Sequence, residues 1–442
     1  MTKIIVIGAG PGGYAAALKA AILGGDVTLI EKETLGGTCL NKGCIPTKAL
    51  LSGENVLKTK DYALISERKD LIVKKLVGGI DYLTKGRHVK VVYGTGKIIS
   101  DNKVSVIKND GSSETFDADK IIIATGSVPI VPGFIPYDGK TIITSDEALT
   151  LSRLPKSITI IGGGVIGCEF GQFYARSGVS VTIIEMMPHI LPGEDIDVAN
   201  VLLKQMKKDG INVLTDTKVE AVSTENEKAV ITLATGETIE SEKLLVSIGR
   251  KAFVDNIGIE EIGIATENGK IVVNNKMETS VKNIYAIGDT VNTPFLAHVA
   301  EKEAMVAVDN IFGKNSEMTY HAIPRCVYTS PEIAGVGITE ATAKNKNIAY
   351  KTGKFLFTNL GKAMVINETA GFVKIITDNE DTIIGASIAG PHATDMISEL
   401  TLAVQLKLSA RELGSVVHPH PTLSEAIMEA AHAVHGECIN SL

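Results

Sequence analysis

The clearest feature of the hydrophobic pattern is one plan that occurs twice. Residues Lys3–Lys32 and Ser157–Met186 each show an apolar run, a Gly-x-Gly-x-x-Gly turn, a helix-forming stretch and a second apolar run that ends in glutamate. The glycines alone would be weak evidence for a dinucleotide-binding site. A strand before them, a helix after them and an acid about 20 residues further on complete the dinucleotide-binding pattern. The sequence therefore predicts two β-α-β units in an α/β fold.

The two copies match with a constant offset of 154 residues. The first glycine should make the tight turn, the second should let the backbone approach a pyrophosphate, and the third should let helix and strand pack closely. The helix N-terminus supplies N–H groups and positive dipole to the phosphates, and the glutamate should accept from ribose hydroxyls. These residues are Gly8, Gly10, Gly13 and Glu31 in the first copy, and Gly162, Gly164, Gly167 and Glu185 in the second. Met186-Met187-Pro188 stand where a 2′-phosphate would need arginine, which favours NAD over NADP.

Two further apolar runs are predicted strands that end beside a bound nucleotide. "IIIATGSVP" ends in small residues, and "TSVKNIYAIGDTVN" ends at Gly288-Asp289. Open α/β sheets bind ligands at the carboxyl ends of their strands, so we expect Asp289 to accept from a polyol hydroxyl. A turn or helix-capping role is the ordinary alternative for such an aspartate.

A close cysteine pair, Cys39 and Cys44, encloses "LNKG" before a predicted helix over residues 45–51. The pair meets disulfide geometry only if the helix start is distorted, which Gly43 permits. Structural zinc needs four ligands, and no second Cys-x-x-Cys or histidine cluster accompanies the pair, so we expect no metal. Two packed thiols remain the alternative to a redox pair. The other cysteines, Cys168, Cys326 and Cys438, are predicted to be inert.

Composition narrows the range of partners. The 442 residues suffice for two to four domains, and the net charge of −7 comes without a basic patch. We therefore expect neither nucleic acid nor membrane as a partner. No apolar run approaches the roughly 20 residues of a membrane span, and the N-terminus enters a strand without room for a leader. A cytoplasmic location is predicted, where close cysteine pairs are more often catalytic than structural.

Taken in chain order, these motifs resemble the flavin-dependent disulfide reductases, and among them the lipoamide-oxidising members. The likeness runs from about Lys3 to about Cys438 and includes "HPHPTLSEA" near the C-terminus. It implies that the first fingerprint binds FAD, that the second binds NAD, and that a C-terminal α+β domain forms a homodimer. The implied bounds are 1–146 and 267–317 for the FAD domain, 147–266 for the NAD domain, and 318–442 for the dimerisation domain.

The resemblance also implies roles for single residues. Cys39 would be the interchange thiol and Cys44 the thiol that faces the flavin, with His420 as base and Glu425 orienting it. Lys48 and Glu169 would pair beside the flavin ring. Further cofactor contacts would come from Thr38, Lys48, Thr125, Gly126, Gly249, Gly288 and Asp289. His418, His432 and His435 match no role in the motif and are interpreted as loop histidines.

The implied reaction is a relay in which His420 removes a proton from dihydrolipoamide, the thiolate attacks Cys39, and Cys44 resolves the mixed disulfide. Electrons then pass through FAD to NAD. The implied partner is a lipoyl-bearing protein of a 2-oxoacid dehydrogenase or glycine cleavage complex, with the active site shared across the dimer. Another disulfide reductase, a scaffold subunit and a diaphorase or oxidase remain alternatives. Between Leu51 and about Lys97 the chain is shorter than the family pattern, and no lipoyl domain is expected before Met1.

Overall fold

The structure, a computed structural model, describes residues 1–441 and has the predicted α/β architecture. Its strands are β1 (Lys3–Ile7), β2 (Asp26–Glu31), β3 (Lys90–Ser100), β4 (Lys103–Lys108), β5 (Ser113–Asp117), β6 (Lys120–Ile123), β7 (Ser127–Pro129), β8 (Ile142–Ile143), β9 (Ser157–Ile161), β10 (Ser180–Ile184), β11 (Asn212–Leu214), β12 (Val219–Glu225), β13 (Lys228–Leu233), β14 (Thr238–Ser241), β15 (Lys243–Val246), β16 (Arg250–Ala252), β17 (Thr266–Glu267), β18 (Lys270–Ile271), β19 (Ile284–Ala286), β20 (Arg325–Val327), β21 (Glu332–Gly337), β22 (Lys351–Leu356), β23 (Phe372–Thr377) and β24 (Ile383–Gly390).

In the described part of the chain, four α-helices follow one another between β2 and β3, and three more follow the last strand, β24. The α-helices are α1 (Pro11–Ile22), α2 (Gly37–Lys42), α3 (Cys44–Leu51), α4 (Gly53–Leu57), α5 (Tyr62–Gly86), α6 (Ser145–Ala148), α7 (Val165–Arg176), α8 (Ile196–Lys208), α9 (Ala297–Ile311), α10 (Glu340–Asn345), α11 (Gly361–Val365), α12 (Ala393–Leu406), α13 (Ala410–Ser415) and α14 (Glu425–Ala433). Short 3-10 helices cover Gly288–Thr290 and Phe357–Asn359.

The chain divides into two compact units. The first comprises Met1–Ile130, Ala148–Ser152 and Gly249–Thr319, and the second comprises Val131–Glu147, Arg153–Ile248 and the chain from Tyr320 onward. Each predicted fingerprint therefore lies in a unit of its own.

The first unit contains a seven-stranded sheet in the order β19-β6-β1-β2-β3-β4-β5. Strands β19 to β3 run parallel, and β4 and β5 continue the sheet as an antiparallel meander. The runs "KIIVI" and "KIII" are almost wholly buried because parallel strands are covered on both faces. Since β1 and β19 end at the same edge of the sheet, the turn at Gly8 and the turn at Asp289 lie on one side.

In its described residues, the second unit contains three further sheets. A parallel sheet in the order β11-β10-β9-β15-β8 carries the second fingerprint, and the antiparallel sheet β12-β13-β14 shares a core with it. The C-terminal part is a five-stranded antiparallel sheet, β20-β21-β24-β23-β22, covered by α12, α13 and α14. Its core includes the fully buried rings of Phe355 and Phe357.

A buried ion cluster joins the start of α8 to the C-terminal sheet. The Nζ atom of Lys374, on β23, lies 3.1 Å from Asp195, 2.9 Å from Asp197 and 2.8 Å from Glu340. Burial disfavours the lysine's charge, but hydrogen bonds to Glu340 and Asp197 outweigh it and raise the pKa of Lys374. The same bonds lower the pKa of Asp197 and of Glu340 against the opposing effect of burial. The lysine therefore neutralises carboxylates that could not be buried alone.

One predicted boundary is wrong. Because proline is common at the first position of a helix, the sequence predicts that Pro421-Thr422 start the C-terminal helix and that Glu425 lies in its first turns. In the structure, α14 begins only at Glu425. The Glu425 side chain accepts from Thr422 N–H at 2.8 Å and contacts His420, so the preceding residues fold back onto the helix start as a turn. Among residues 1–441, no helix is long and apolar enough to cross a membrane.

Candidate active site

The glycines of both fingerprints have the geometry that dinucleotide binding requires. Gly8 and Gly162 adopt left-handed φ values of 100° and 107°, which a side chain would strain. A Cβ on Gly13 would overlap Gly8 O, and one on Gly167 would overlap Gly162 O, so helix and strand approach as closely as backbone allows. At Gly10, by contrast, a Cβ would have no neighbouring atom within 4 Å, and the same is true at Gly164. The turns are thus packed on one side and open on the side where a pyrophosphate would bind.

The two fingerprint glutamates make the same pair of bonds in the two units. Glu31 accepts from Ala9 N–H at 2.8 Å and from Glu33 N–H at 2.8 Å. Glu185 accepts from Gly163 N–H at 2.6 Å and from Met187 N–H at 2.8 Å. Each carboxylate therefore fixes the glycine-rich turn. An ionised carboxylate has about four lone-pair positions, so each also keeps capacity for ribose hydroxyls.

Asp289 is held by a chain of hydrogen bonds that the sequence did not predict. Ser127 Oγ donates to Asp289 Oδ2 at 2.5 Å, and Arg250 Nε donates to the same Ser127 Oγ at 2.8 Å. Arg250 Nη2 also donates to Ser127 O at 2.7 Å. Burial raises the pKa of Asp289, while the Ser127 bond and the Arg250 charge act against that rise. The carboxylate is thereby oriented, and its other oxygen stays available to a polyol hydroxyl.

The other residues predicted to contact the cofactor here, Thr125, Gly126, Gly249 and Gly288, lie in the turns next to Asp289 and Ser127. Thr125 Oγ1 donates to Phe253 O at 2.5 Å, and Gly126 and Gly249 both have positive φ on either side of the β7–β16 pair. Gly288, which also has a positive φ, donates its N–H to the buried Glu303 carboxylate at 2.6 Å. The only sequence signal for Ser127 and Arg250 is that each directly follows a glycine already assigned to the site.

Cys39 and Cys44 lie on separate short helices rather than on one distorted helix. Cys39 belongs to α2 and Cys44 starts α3, with Gly43 between them, where a Cβ would lie 3.1 Å from Thr38 O. The two cysteines are not joined by a disulfide bond, and Cys44 is the more exposed. A hydrogen bond with Cys44, burial and the charge of Cys44 raise the pKa of Cys39, although Lys48 acts in the opposite direction.

Lys48 and Glu169, the two charged residues predicted to pair beside the flavin, lie in different units. Lys48 follows Cys44 by one helical turn in α3 of the first unit, where Thr38 also precedes Cys39 in α2. Glu169 is buried on α7 of the second unit and accepts from Tyr328 N–H at 2.9 Å. The pairing of Lys48 with Glu169 stays a prediction.

His420 and Glu425 form a hydrogen-bonded pair. His420 Nδ1 lies 2.8 Å from Glu425 Oε1, and the histidine side chain is 79% exposed. Bonds from Thr422 N–H and from His420 lower the pKa of Glu425 against the opposing effect of burial. A carboxylate at Nδ1 fixes the proton there and leaves Nε2 as an acceptor that faces outward.

The other cysteines are placed as packing residues. Cys168 is fully buried in α7, where burial first and the nearby Glu169 next raise its pKa. Cys326 lies in β20, and the Cys438 thiol donates to the buried Glu429 carboxylate at 3.0 Å. In residues 1–441, no group of three or more His, Cys, Asp or Glu side chains is arranged to hold a metal ion.

Two family models match the chain. The model described as pyridine nucleotide-disulphide oxidoreductase covers residues 2–304, and the dimerisation-domain model of the same family covers residues 323–431. The chain belongs to the pyridine nucleotide-disulphide oxidoreductase family. This confirms the resemblance drawn from the motifs. It makes the protein a disulfide oxidoreductase with FAD and NAD as cofactors, and its dimerisation domain supports a homodimer.

Members of this family with full-length similarity include dihydrolipoyl dehydrogenases. Those of Bacillus subtilis and Geobacillus stearothermophilus are 42% and 43% identical, each over 99% of this chain and over 98% and 97% of their own length. The first alignment extends over 468 residues, more than the 442 of this chain, so that relative contains residues without a counterpart here.

Solved structures of the family have the same fold. LpdA from Mycobacterium tuberculosis matches with a TM-score of 0.91 and 28% identity, over 98% of this chain and 99% of that one. The HOCl-induced flavoprotein disulfide reductase RclA from Escherichia coli, as its Cu(II) complex, matches with a TM-score of 0.90 and 27% identity, over 97% and 98%.

Proposed function

We propose that this oxidoreductase is a dihydrolipoyl dehydrogenase that oxidises protein-bound dihydrolipoyl groups with NAD. The observation that carries the proposal is the occurrence, in one chain, of the Cys39–Cys44 thiol pair and the exposed His420–Glu425 pair. The pairs supply an electron acceptor and a base, which are the two functions that dithiol oxidation needs. Identity of 40–43% over the full length to relatives named dihydrolipoyl dehydrogenase supports the same substrate class.

The proposed chemistry is two successive thiol–disulfide exchanges. One substrate thiol transfers its proton to His420 Nε2, and the resulting thiolate attacks the Cys39 sulfur of the oxidised pair. The Cys39–Cys44 bond breaks, and Cys44 leaves as a thiolate. The second substrate thiol then attacks the substrate sulfur of the mixed disulfide, closes the lipoyl ring and leaves its proton on Cys39. The raised pKa of Cys39 supports this placement of the proton. The ring-closing step replaces the one in the sequence-based relay, in which Cys44 resolves the mixed disulfide, because attack by Cys44 would only reform the Cys39–Cys44 bond and release the dithiol unchanged.

Bound FAD would supply the chemistry that links a thiol pair to hydride transfer to NAD. The open side of the turn at Gly10, with Glu31 and Asp289, would hold FAD, and the equivalent turn at Gly164, with Glu185, would hold NAD. Lys48, one turn after Cys44, would supply a fixed positive charge beside the reacting groups. We assign FAD binding to residues 1–146 and 267–317 and NAD binding to residues 147–266 within this proposal.

The thiol pair and the His420–Glu425 pair are 376 positions apart and lie in different units. We propose that His420 serves the cysteines of the partner subunit across the two-fold axis of the homodimer, which gives two equivalent sites per dimer. The outward-facing His420 ring is consistent with a partner at this surface. Membership of a 2-oxoacid dehydrogenase or glycine cleavage complex and a cytoplasmic location are part of the same proposal.

The test is complementation between two inactive variants. His420→Gln lacks the base and Cys44→Ser lacks the redox disulfide, so each homodimer should fail with dihydrolipoamide. After joint unfolding and reassembly with FAD, about half of the dimers would be mixed and would hold one intact site of two. Activity should therefore recover to roughly a quarter of that of identically treated wild type.

Each variant treated alone is the control and should stay inactive. Mixed dimers without recovered activity would show that the base works within its own chain. The substrate class is tested separately by NAD reduction with dihydrolipoamide, beside glutathione and mercuric-ion assays run with either nicotinamide coenzyme. Failure with dihydrolipoamide but turnover of another substrate would refute the proposed function.

A further inference from the structure

His418, interpreted from the sequence as a loop histidine without a role, is in fact buried and bonded at both ring nitrogens. Its side chain is 4% exposed, although it lies two residues from the 79% exposed His420. His418 Nδ1 lies 2.8 Å from Val416 O, and Nε2 lies 2.8 Å from Glu399 Oε1, on helix α12. A histidine that only covers a loop would not need a carboxylate partner from another element.

Both neighbours of the His418 ring are hydrogen-bond acceptors. The carbonyl of Val416 requires a hydrogen on Nδ1, because a carbonyl oxygen cannot donate. Nε2 lies 2.8 Å from the Glu399 carboxylate, so the ring is held from two sides, by its own loop and by α12. Hydrogen bonds that involve an ionised group are stronger than neutral ones, which makes a carboxylate an effective anchor for the ring.

This pair anchors the N-terminal side of the segment that carries His420. On the C-terminal side, Thr422 donates its hydroxyl to Pro419 O at 2.7 Å and its N–H to Glu425 at 2.8 Å. All of those bonds stay within the segment or reach the start of α14. Among the hydrogen bonds of residues 416–424 of the described chain, the bond from His418 to Glu399 is the one that reaches α12, whereas the others stay within the segment or end on its sequence neighbours α13 and α14.

We propose that His418 and Glu399 are positioning residues that hold His420 at the reacting distance from the substrate thiol. The inference rests on the proposed function, because it needs His420 to act as the base. Val417, the residue directly before His418, is 92% exposed, so little apolar packing fixes this side of the loop. Without the pair, the His420 ring would sample several positions, and misplacement of a base by about 1 Å can lower turnover up to about 100-fold.

The experiment compares Glu399→Ala, Glu399→Gln and the control Asp395→Ala. Alanine removes the acceptor and leaves the buried His418 Nε2 without a partner, whereas glutamine keeps the side-chain length and can donate N–H to a neutral ring. Asp395 lies on the same helix with an 86% exposed side chain, outside the pair. All variants are assayed as FAD-loaded dimers for dihydrolipoamide turnover, for NADH–dye activity and for thermal unfolding.

We expect Glu399→Ala to lower kcat for dihydrolipoamide about tenfold, with KM within about twofold and NADH–dye activity retained. Glu399→Gln should recover kcat to within about threefold of wild type, and Asp395→Ala should match wild type. In a His420→Gln background, Glu399→Ala should cause no further loss, because residues that act through one group are not additive.

Two results would overturn the positioning role alone. One is unchanged kcat in Glu399→Ala while His420→Gln is inactive. The other is a loss from Glu399→Ala that is equally large in the His420→Gln background, which would show a general structural effect. Full dihydrolipoamide turnover by His420→Gln itself would instead refute the proposed function, so the two failures are distinguishable.

Discussion

The glycines of the second fingerprint, the proposed NAD site, allow fold and ligand binding to be separated by two alanine substitutions three residues apart. Gly164 and Gly167 lie in the same turn, but their surroundings differ. A Cβ on Gly167 would overlap Gly162 O and lie 3.0 Å from Ser247 Oγ, whereas a Cβ on Gly164 has no atom within 4 Å. Gly164 has φ −74° and ψ −170°, a conformation that alanine adopts without strain.

The expected magnitudes follow from these contacts. Gly167→Ala must push α7 away from the turn after β9, and overpacking of this kind costs about 1–3 kcal/mol. Gly164→Ala changes only the helix N-cap, where alanine is less favourable than glycine by about 1 kcal/mol or less. Its methyl group, however, would stand between the backbone and the NAD pyrophosphate. We expect the NAD affinity to fall at least about tenfold, which corresponds to roughly 1.4 kcal/mol.

The assay measures the KM for NADH in the dye reaction together with thermal unfolding, and the flavin absorption spectrum checks that FAD binding is intact. Gly164→Ala should unfold near the wild-type temperature with weakened NADH binding. Gly167→Ala should unfold at a clearly lower temperature. Wild-type NADH binding by Gly164→Ala, or wild-type stability of Gly167→Ala, would refute the geometric argument.

Three further predictions concern the rest of the molecule. Lys374→Met should destabilise the fold by up to about 3 kcal/mol near pH 7, because it removes the cation from the buried Asp195 carboxylate, while the partly exposed Asp197 keeps its ion pair with Lys354. The lowered pKa values of Asp197 and Glu340 stabilise the fold above about pH 4, and this stabilisation is lost as the pH falls through those values. In urea titrations the difference from wild type should therefore shrink in acid, and a pH-independent difference would contradict the ion pairing. Ser127→Ala should speed FAD release, measured by flavin fluorescence, since Asp289 loses a bond worth about 1 kcal/mol, and unchanged FAD retention would argue against that role. Cys39→Ser should show a long-wavelength flavin absorption band at neutral pH and Cys44→Ser should not, and the reverse pattern would exchange the two thiol assignments.

The sequence by itself determined the two nucleotide-binding turns because their requirements are local. The positive φ at Gly8, the close approach at Gly13 and the acid at the end of the next strand all lie within one β-α-β unit. Backbone geometry alone restricts such positions to glycine, so the binding turns can be recognised in the sequence without knowledge of the tertiary structure. The redox pair is equally local, because its cysteines are only five positions apart. The proposal that the first turn binds FAD comes instead from the order of motifs in the family. Two equivalent turns do not by themselves show which dinucleotide each one binds.

Tertiary structure alone decided which distant side chains complete these sites. Asp289 meets Ser127 across 162 positions, and Ser127 meets Arg250 across 123, so no spacing rule links them. His418 differs from a surface histidine only because Glu399 of α12 lies against it. The start of α14 was likewise decided by side-chain bonds to Glu425 rather than by the proline before it. Such contacts depend on how separate elements pack, and a single polar residue carries no periodic signal that would reveal its partner.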